Sequence, residues 1–119
     1  MWAALQYNTP EDHIFATGQQ YDVRSFIQEA FGLCGYNIEW RGFGTGEVGF
    51  DKISGRLLIE IDPLYYRPVK VDALIGNSDK AKRQLNWEPK TSLKELVYIM
   101  VESGLRKNNL DPKKYLKLK

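Results

Sequence analysis

Four glycines fall within eight residues, GFGTGEVG at 42–49, and no other stretch limits the possible folds as much. Gly44 to Gly49 spells GxGxxG and follows YNIEW (36–40), whose alternation of polar and apolar residues predicts a strand. A dinucleotide-binding turn has those letters. It also needs a helix to open at the glycines, so that the helix N-terminus faces the pyrophosphate. Here the glycines run into another strand-like segment, and a glycine-rich link between two strands is the better reading. A Rossmann fingerprint is therefore rejected, and the chain is expected to place short strands among helices.

The remaining elements follow from periodicity and punctuation. Met1 to Gln6 reads as a last helical turn, so the chain is expected to start partway through a fold, with Asn8, Thr9 and Pro10 breaking the turn. HIFA (13–16) reads as a short apolar strand ending at Thr17-Gly18. Asp22 can cap a helix over VRSFIQEAFGLCG, whose Val23, Phe26, Ile27, Ala30, Phe31 and Cys34 keep helical spacing, with Gly35 at the exit. In SGRLLIEID, Leu57, Ile59 and Ile61 alternate with Leu58 and Glu60 as in a strand. YYRP (65–68) is extended, because a residue before proline avoids the helical region. Asn77 or Ser78 can cap a short helix, DKAKRQLNW, that Pro89 stops. TSLKELVYIMVESG predicts a helix with a Ser92–Glu95 capping box and an apolar face of Leu93, Leu96, Val97, Met100 and Val101, leaving at Gly104. The fold class is α/β, with few strands and no complete parallel sheet.

At 119 residues the chain favours one small domain, and its 43% hydrophobic and 13% aromatic content is that of a globular protein. A net charge of +2 is too small to imply nucleic acid or a membrane as partner. That charge is uneven, because residues 106–119 (RKNNLDPKKYLKLK) hold six Lys/Arg against Asp111. No apolar run reaches the length of a membrane span. The single cysteine, Cys34, cannot form an internal disulfide, which fits the reducing cytoplasm.

Few residues suggest chemistry. His13, the only histidine, opens an apolar strand with no partner at a recognisable spacing, so a structural role is expected. Cys34 lies on the apolar face of a helix and reads as core. No metal-ligand cluster or carboxylate pair stands out, and no self-contained active site is expected. Arg67 differs, because it stands between Tyr65-Tyr66 and Pro68 on stiff backbone. A guanidinium fork matches diphosphate oxygens, and the tyrosines could stack on a base or sugar. The same residues equally fit a plain surface arginine at a strand exit.

Taken together, PEDHIFATG, VRSFIQEAFGLCGYNIEWRG, GEVGFD, IDPLYYRPVKVD and GNSDKAKRQLNWEP closely resemble the C-terminal part of the GDP-mannose 4,6-dehydratases, in the extended short-chain dehydrogenase/reductase superfamily. The resemblance runs from Met1 to about Leu105. It implies a substrate-binding lobe at 1–105 without a Rossmann domain, followed by a flexible basic tail at 106–119. It also implies a lyase that converts GDP-mannose to GDP-4-keto-6-deoxymannose, a step in GDP-fucose biosynthesis, with NADP held by an N-terminal Rossmann domain. That domain carries the family's GxxGxxG loop, Thr/Ser, Glu and YxxxK pair, and is expected outside this chain. Tyr66 and Lys70 match YxxxK by letters, but Pro68 forbids the helix that would align them. By resemblance Arg67 lies against the nucleotide diphosphate, with Tyr66 or Tyr65 lining the same pocket. The family usually has Glu or Asp three residues after that arginine to accept from ribose hydroxyls. Here the position is Lys70, a donor only, which puts ribose recognition in doubt.

Two functions follow. In the first, the chain is part of a dehydratase-like enzyme that carries half of a GDP-sugar site and is inactive alone. No cofactor is expected on this chain by itself. In the second, it is a non-catalytic module binding an acidic partner or nucleic acid through 106–119; the single tail aromatic, Tyr115, and the lack of an RNA-binding motif count against nucleic acid. A lobe separated from its larger fold should expose apolar surface and self-associate.

Overall fold

The computed structural model describes residues 1–67 and 74–117. They fall into two compact units that alternate along the chain: Met1–Tyr21 with Val71–Ser92, and Asp22–Lys70 with Leu93–Lys119.

The first unit holds α1 (Trp2–Leu5), an extended stretch, and α3 (Asp79–Leu85). Asn77 Oδ1 accepts from the Asp79 amide at 2.9 Å, ahead of Ser78 at the N-cap, and the helix ends at Asn86, whose φ of 48° is left-handed. Side chains stitch the extended stretch to α3. Lys80 Nζ lies 2.7 Å from Glu11 Oε2, Gln84 Nε2 donates to the same carboxylate at 3.2 Å, and His13 Nε2 meets Gln84 Oε1 at 2.9 Å. Phe15 sits edge-on to Trp87 with ring centroids 5.0 Å apart. Ala81 is fully buried, and a Cβ on Gly76 would come 2.5 Å from that of Ala16. HIFA is extended but pairs as no strand, which corrects the sequence expectation. A strand needs a hydrogen-bonding neighbour, and this unit has no other strand among the described residues.

The second unit packs α2 (Val23–Leu33) and α4 (Leu93–Lys107) on each other, beside an antiparallel sheet β1-β2-β3 (Ile38–Arg41, Val48–Asp51, Leu57–Glu60). α2 starts as expected, with Asp22 Oδ1 accepting from the Ser25 amide at 2.7 Å. α4 continues past Gly104 to Lys107, again correcting the sequence reading. A single glycine costs a helix only about 1 kcal/mol, and the left-handed turn that follows the helix is at Asn109, φ 58°. Val97 is fully buried, and Ile38 and Leu116 are nearly so.

The basic segment also belongs to this unit. Asp111 Oδ1 accepts from the Lys113 amide at 3.0 Å and starts α5 (Pro112–Tyr115). Beyond it Leu116 is 8% exposed, and the Lys117 amide donates to Leu33 O at 2.7 Å, satisfying a carbonyl at the end of α2.

Asp51, 4% exposed, organises the β2–β3 turn. Its carboxylate accepts from Ser54 Oγ at 2.6 Å, the Ser54 amide at 3.0 Å and the Asn37 amide at 3.2 Å. The Ser54 hydroxyl above all, then the Ser54 amide, hold its pKa down at about 2, against 3.8 for a free aspartate. Because the folded value is the lower, this stabilisation is complete above about pH 3.8 and disappears as pH falls towards 2. Asp51→Asn should therefore melt roughly 4–8 °C below the parent at pH 7. Thermal melts across pH should show that gap closing below pH 3.8, and a gap constant with pH would refute the assignment.

Candidate functional site

The stretch after β3 is shaped locally. Asp62 Oδ1 accepts from the Leu64 amide at 2.9 Å and starts a single 3-10 turn, Pro63–Tyr65. Tyr66 then returns to extended backbone, φ −67° and ψ 126°. Tyr65 is 76% exposed, Tyr66 is 43% exposed, and Arg67 is open to solvent. Among the described residues, no acid pairs with Arg67. Lys70, the remaining candidate, lies outside the described residues, as does Asp72.

The other distinctive residues have work inside the fold. In GEVGFD, Glu47 pairs with Arg24 of α2, a contact the sequence reading missed, and Arg24 also lies 5.8 Å from the Trp40 ring centre. Gly49 sits where a Cβ would come 3.1 Å from Ile59 Cδ1 and 3.2 Å from Ile38 Cγ2, so a side chain there would wedge β1 and β3. Asp51 holds the next turn. In GNSDKAKRQLNW, Gly76 meets Ala16, Asn77 starts α3, Ala81 is buried and Trp87 packs on Phe15. Among the described residues, nothing gives the side chains of Tyr65 and Arg67 such a role.

His13 is tied to Gln84; since Gln84 Nε2 already donates to Glu11, its carbonyl faces the ring, and His13 Nε2 is the donor. Cys34 is half-buried, and burial pushes its thiol pKa up, away from nucleophilic chemistry. Among the described residues, no group of three or more His, Cys, Asp or Glu could hold a metal. No helix among them is long and apolar enough to cross a membrane.

The glycine run does not suit a dinucleotide. Gly44–Gly46 forms one 3-10 turn, Glu47 is extended, and β2 begins at Val48, so no helix N-terminus faces a phosphate there.

Among the described residues, two of the grooves carry mixed linings. One, of about 620 Å³ in the second unit, is bordered by Ser25, Gln28, Glu29, Gly32, Lys94 and Lys117. The other, of about 560 Å³ in the first unit, includes Thr17, Asn77, Asp79, Lys82 and Trp87. Tyr65, Tyr66 and Arg67 line neither.

Comparison with known proteins places this geometry in a family. The chain is 43% identical over 112 residues to GDP-mannose 4,6 dehydratase 2 of Caenorhabditis elegans, covering 94% of the chain and 29% of that relative. It is 45% identical over 105 residues to the GDP-mannose 4,6 dehydratase of Dictyostelium discoideum, covering 88% of the chain and 30% of the relative. With the Homo sapiens enzyme of that name it shares 40% identity over 112 residues, 94% of the chain and 30% of the relative. It thus spans about 30% of the length of these relatives. Residues 1–100 match the family model for GDP-mannose 4,6 dehydratase, and the chain belongs to that family.

Proposed function

We propose that this chain is the C-terminal, substrate-binding part of a GDP-mannose 4,6-dehydratase, and that Arg67, with Tyr66 and Tyr65 beside it, grips the diphosphate of GDP-mannose. One observation carries the reading. Motif residues elsewhere are occupied in packing, capping or pairing, whereas Arg67 and Tyr65 are exposed on short, shaped backbone. A bidentate guanidinium held on stiff backbone suits a diphosphate. Lys70, at the family's acidic position, adds a second cation and leaves ribose hydroxyls without their usual acceptor.

In this reading NADP and the acid–base set are the work of the family's N-terminal Rossmann domain, and residues 1–119 by themselves bind without turnover. With GDP-mannose and NADP, a spectrophotometric assay should give no product, while GDP-mannose titration should move amide resonances of the second unit saturably. Product from the chain alone, or a titration that leaves the spectrum untouched, would each contradict this reading. The free thiol of Cys34 supports a reducing compartment, and the cytoplasm fits it.

Self-association is part of the reading. Leu96, Ile99 and Met100 are about half exposed and stand three and four residues apart, one stripe on α4. Sedimentation should show mass rising with concentration, and Ile99→Glu with Met100→Lys should abolish the rise. A parent chain that stays monomeric throughout would remove this element. The docking of Leu116 and Lys117 supports a scaffold role for the basic segment over a free nucleic-acid-binding arm.

A further inference from the structure

The glycine-rich link between β1 and β2 carries Phe43, which is 90% exposed. Its position is defined by backbone. The Gly46 amide donates to Phe43 O at 3.2 Å, and the Glu47 amide to Gly44 O at 3.3 Å. Gly42 has φ +82°, and a Cβ there would lie 2.5 Å from Gly46 O, so the turn is built around a glycine. Arg24 anchors its far end through Glu47. A large aromatic ring is thus presented to solvent on a fixed turn, and nothing among the described residues covers it.

The register of the sheet says what lies beside it. Arg41 pairs with Val48, and Val48 pairs with Glu60. β1 and β3 both run antiparallel to the central β2, so they run parallel to each other and leave the sheet at the same end. Phe43 follows β1 by two residues, and the turn leading to Tyr66 and Arg67 starts three residues after β3. Strands two places apart are separated by about 10 Å, a span that a nucleoside diphosphate can bridge. Such a ligand carries a flat aromatic base at one end and anionic oxygens at the other. This end of the sheet offers the complementary pair, an exposed ring past one outer strand and, past the other, a guanidinium that no acid among the described residues pairs with.

We infer that Phe43 is the platform on which the base of the bound nucleoside diphosphate stacks, with Arg67 taking the diphosphate; this rests on the diphosphate role proposed above. Bases stack on phenylalanine faces whatever their hydrogen-bonding edge, so Phe43 supplies affinity for the nucleoside and not the choice of base.

The test titrates the full chain with GDP and, separately, with inorganic pyrophosphate, and compares the parent with Phe43→Ala, Phe43→Trp and Arg67→Ala. Phe43→Ala should bind GDP roughly 5- to 100-fold more weakly and pyrophosphate unchanged. Phe43→Trp should restore GDP binding, and an upfield shift of the guanine H8 resonance should accompany every variant with a ring at 43. Because Phe43 is exposed, each variant should keep a dispersed spectrum. GDP binding unchanged in Phe43→Ala overturns the inference; if Arg67→Ala still loses both ligands, the diphosphate reading survives alone. Loss in Phe43→Ala with none in Arg67→Ala overturns the diphosphate reading but keeps the platform. A parent chain that binds no GDP overturns both.

Discussion

Arg67→Ala is expected to lower affinity for GDP-mannose roughly 10- to 100-fold, the range for losing hydrogen bonds from a charged donor. Two features make the effect large for one exposed side chain. The backbone at Tyr66 is extended, and Pro68 restricts the residue before it, so little backbone entropy is spent when Arg67 engages a ligand. No acid among the described residues competes for it. Arg67→Lys keeps the charge without the two-pronged fork and should fall in between. The parent's affinity should drop with added salt, and the alanine variant's should drop less. Both variants should melt with the parent, because Arg67 is exposed and no acid among the described residues pairs with it. Equal affinities for parent and alanine variant by calorimetry would end the diphosphate assignment.

Leu116→Ala carries the largest expected loss of stability. Leu116 is 8% exposed at the end of a segment whose composition suggests a solvated tail. Removing a buried leucine side chain costs about 2–5 kcal/mol, which for a domain of this size lowers Tm by roughly 10 °C or more. Lys113→Ala, only two residues into the same segment's helical turn, should change Tm by no more than a degree or two, since surface substitutions cost little. Differential scanning calorimetry of the pair separates a docked segment from a free one, because a free arm would leave both variants at the parent's Tm.

Elements decided by neighbours in sequence were legible. Asp22 announces α2 because its cap lies within three residues, and the stripe of Leu93, Val97 and Met100 announces α4 for the same reason. HIFA was not, since a short apolar run shows only that it could be a strand, and pairing depends on a partner elsewhere. The end of α4 was misread because Gly104 is permitted inside a helix, while Asn109 was passed over. The docking of Lys117 depends on Leu33, far back in the chain, and nothing near Lys117 hints at it. For the candidate site, Arg67, Tyr65 and Tyr66 stood out through resemblance to a family motif and stiff flanking backbone. The glycines around Phe43 obscure it in the sequence. The available signal is the ring itself, a bulky aromatic between two glycines.

The alternation of the two units along the chain bears on how the protein is made. Each unit is assembled from two separate stretches, with the first interrupted by 22–70 and the second by 71–92. A ribosome delivers residues in order, and closing a loop across such an interruption costs entropy before any contact repays it. When residue 92 has emerged, the first unit is complete, but the second still lacks α4, on which α2 packs, and Leu116. Until residues 93–117 dock, α2 and the three-stranded sheet keep their apolar sides open, so the second unit is the later of the two to close.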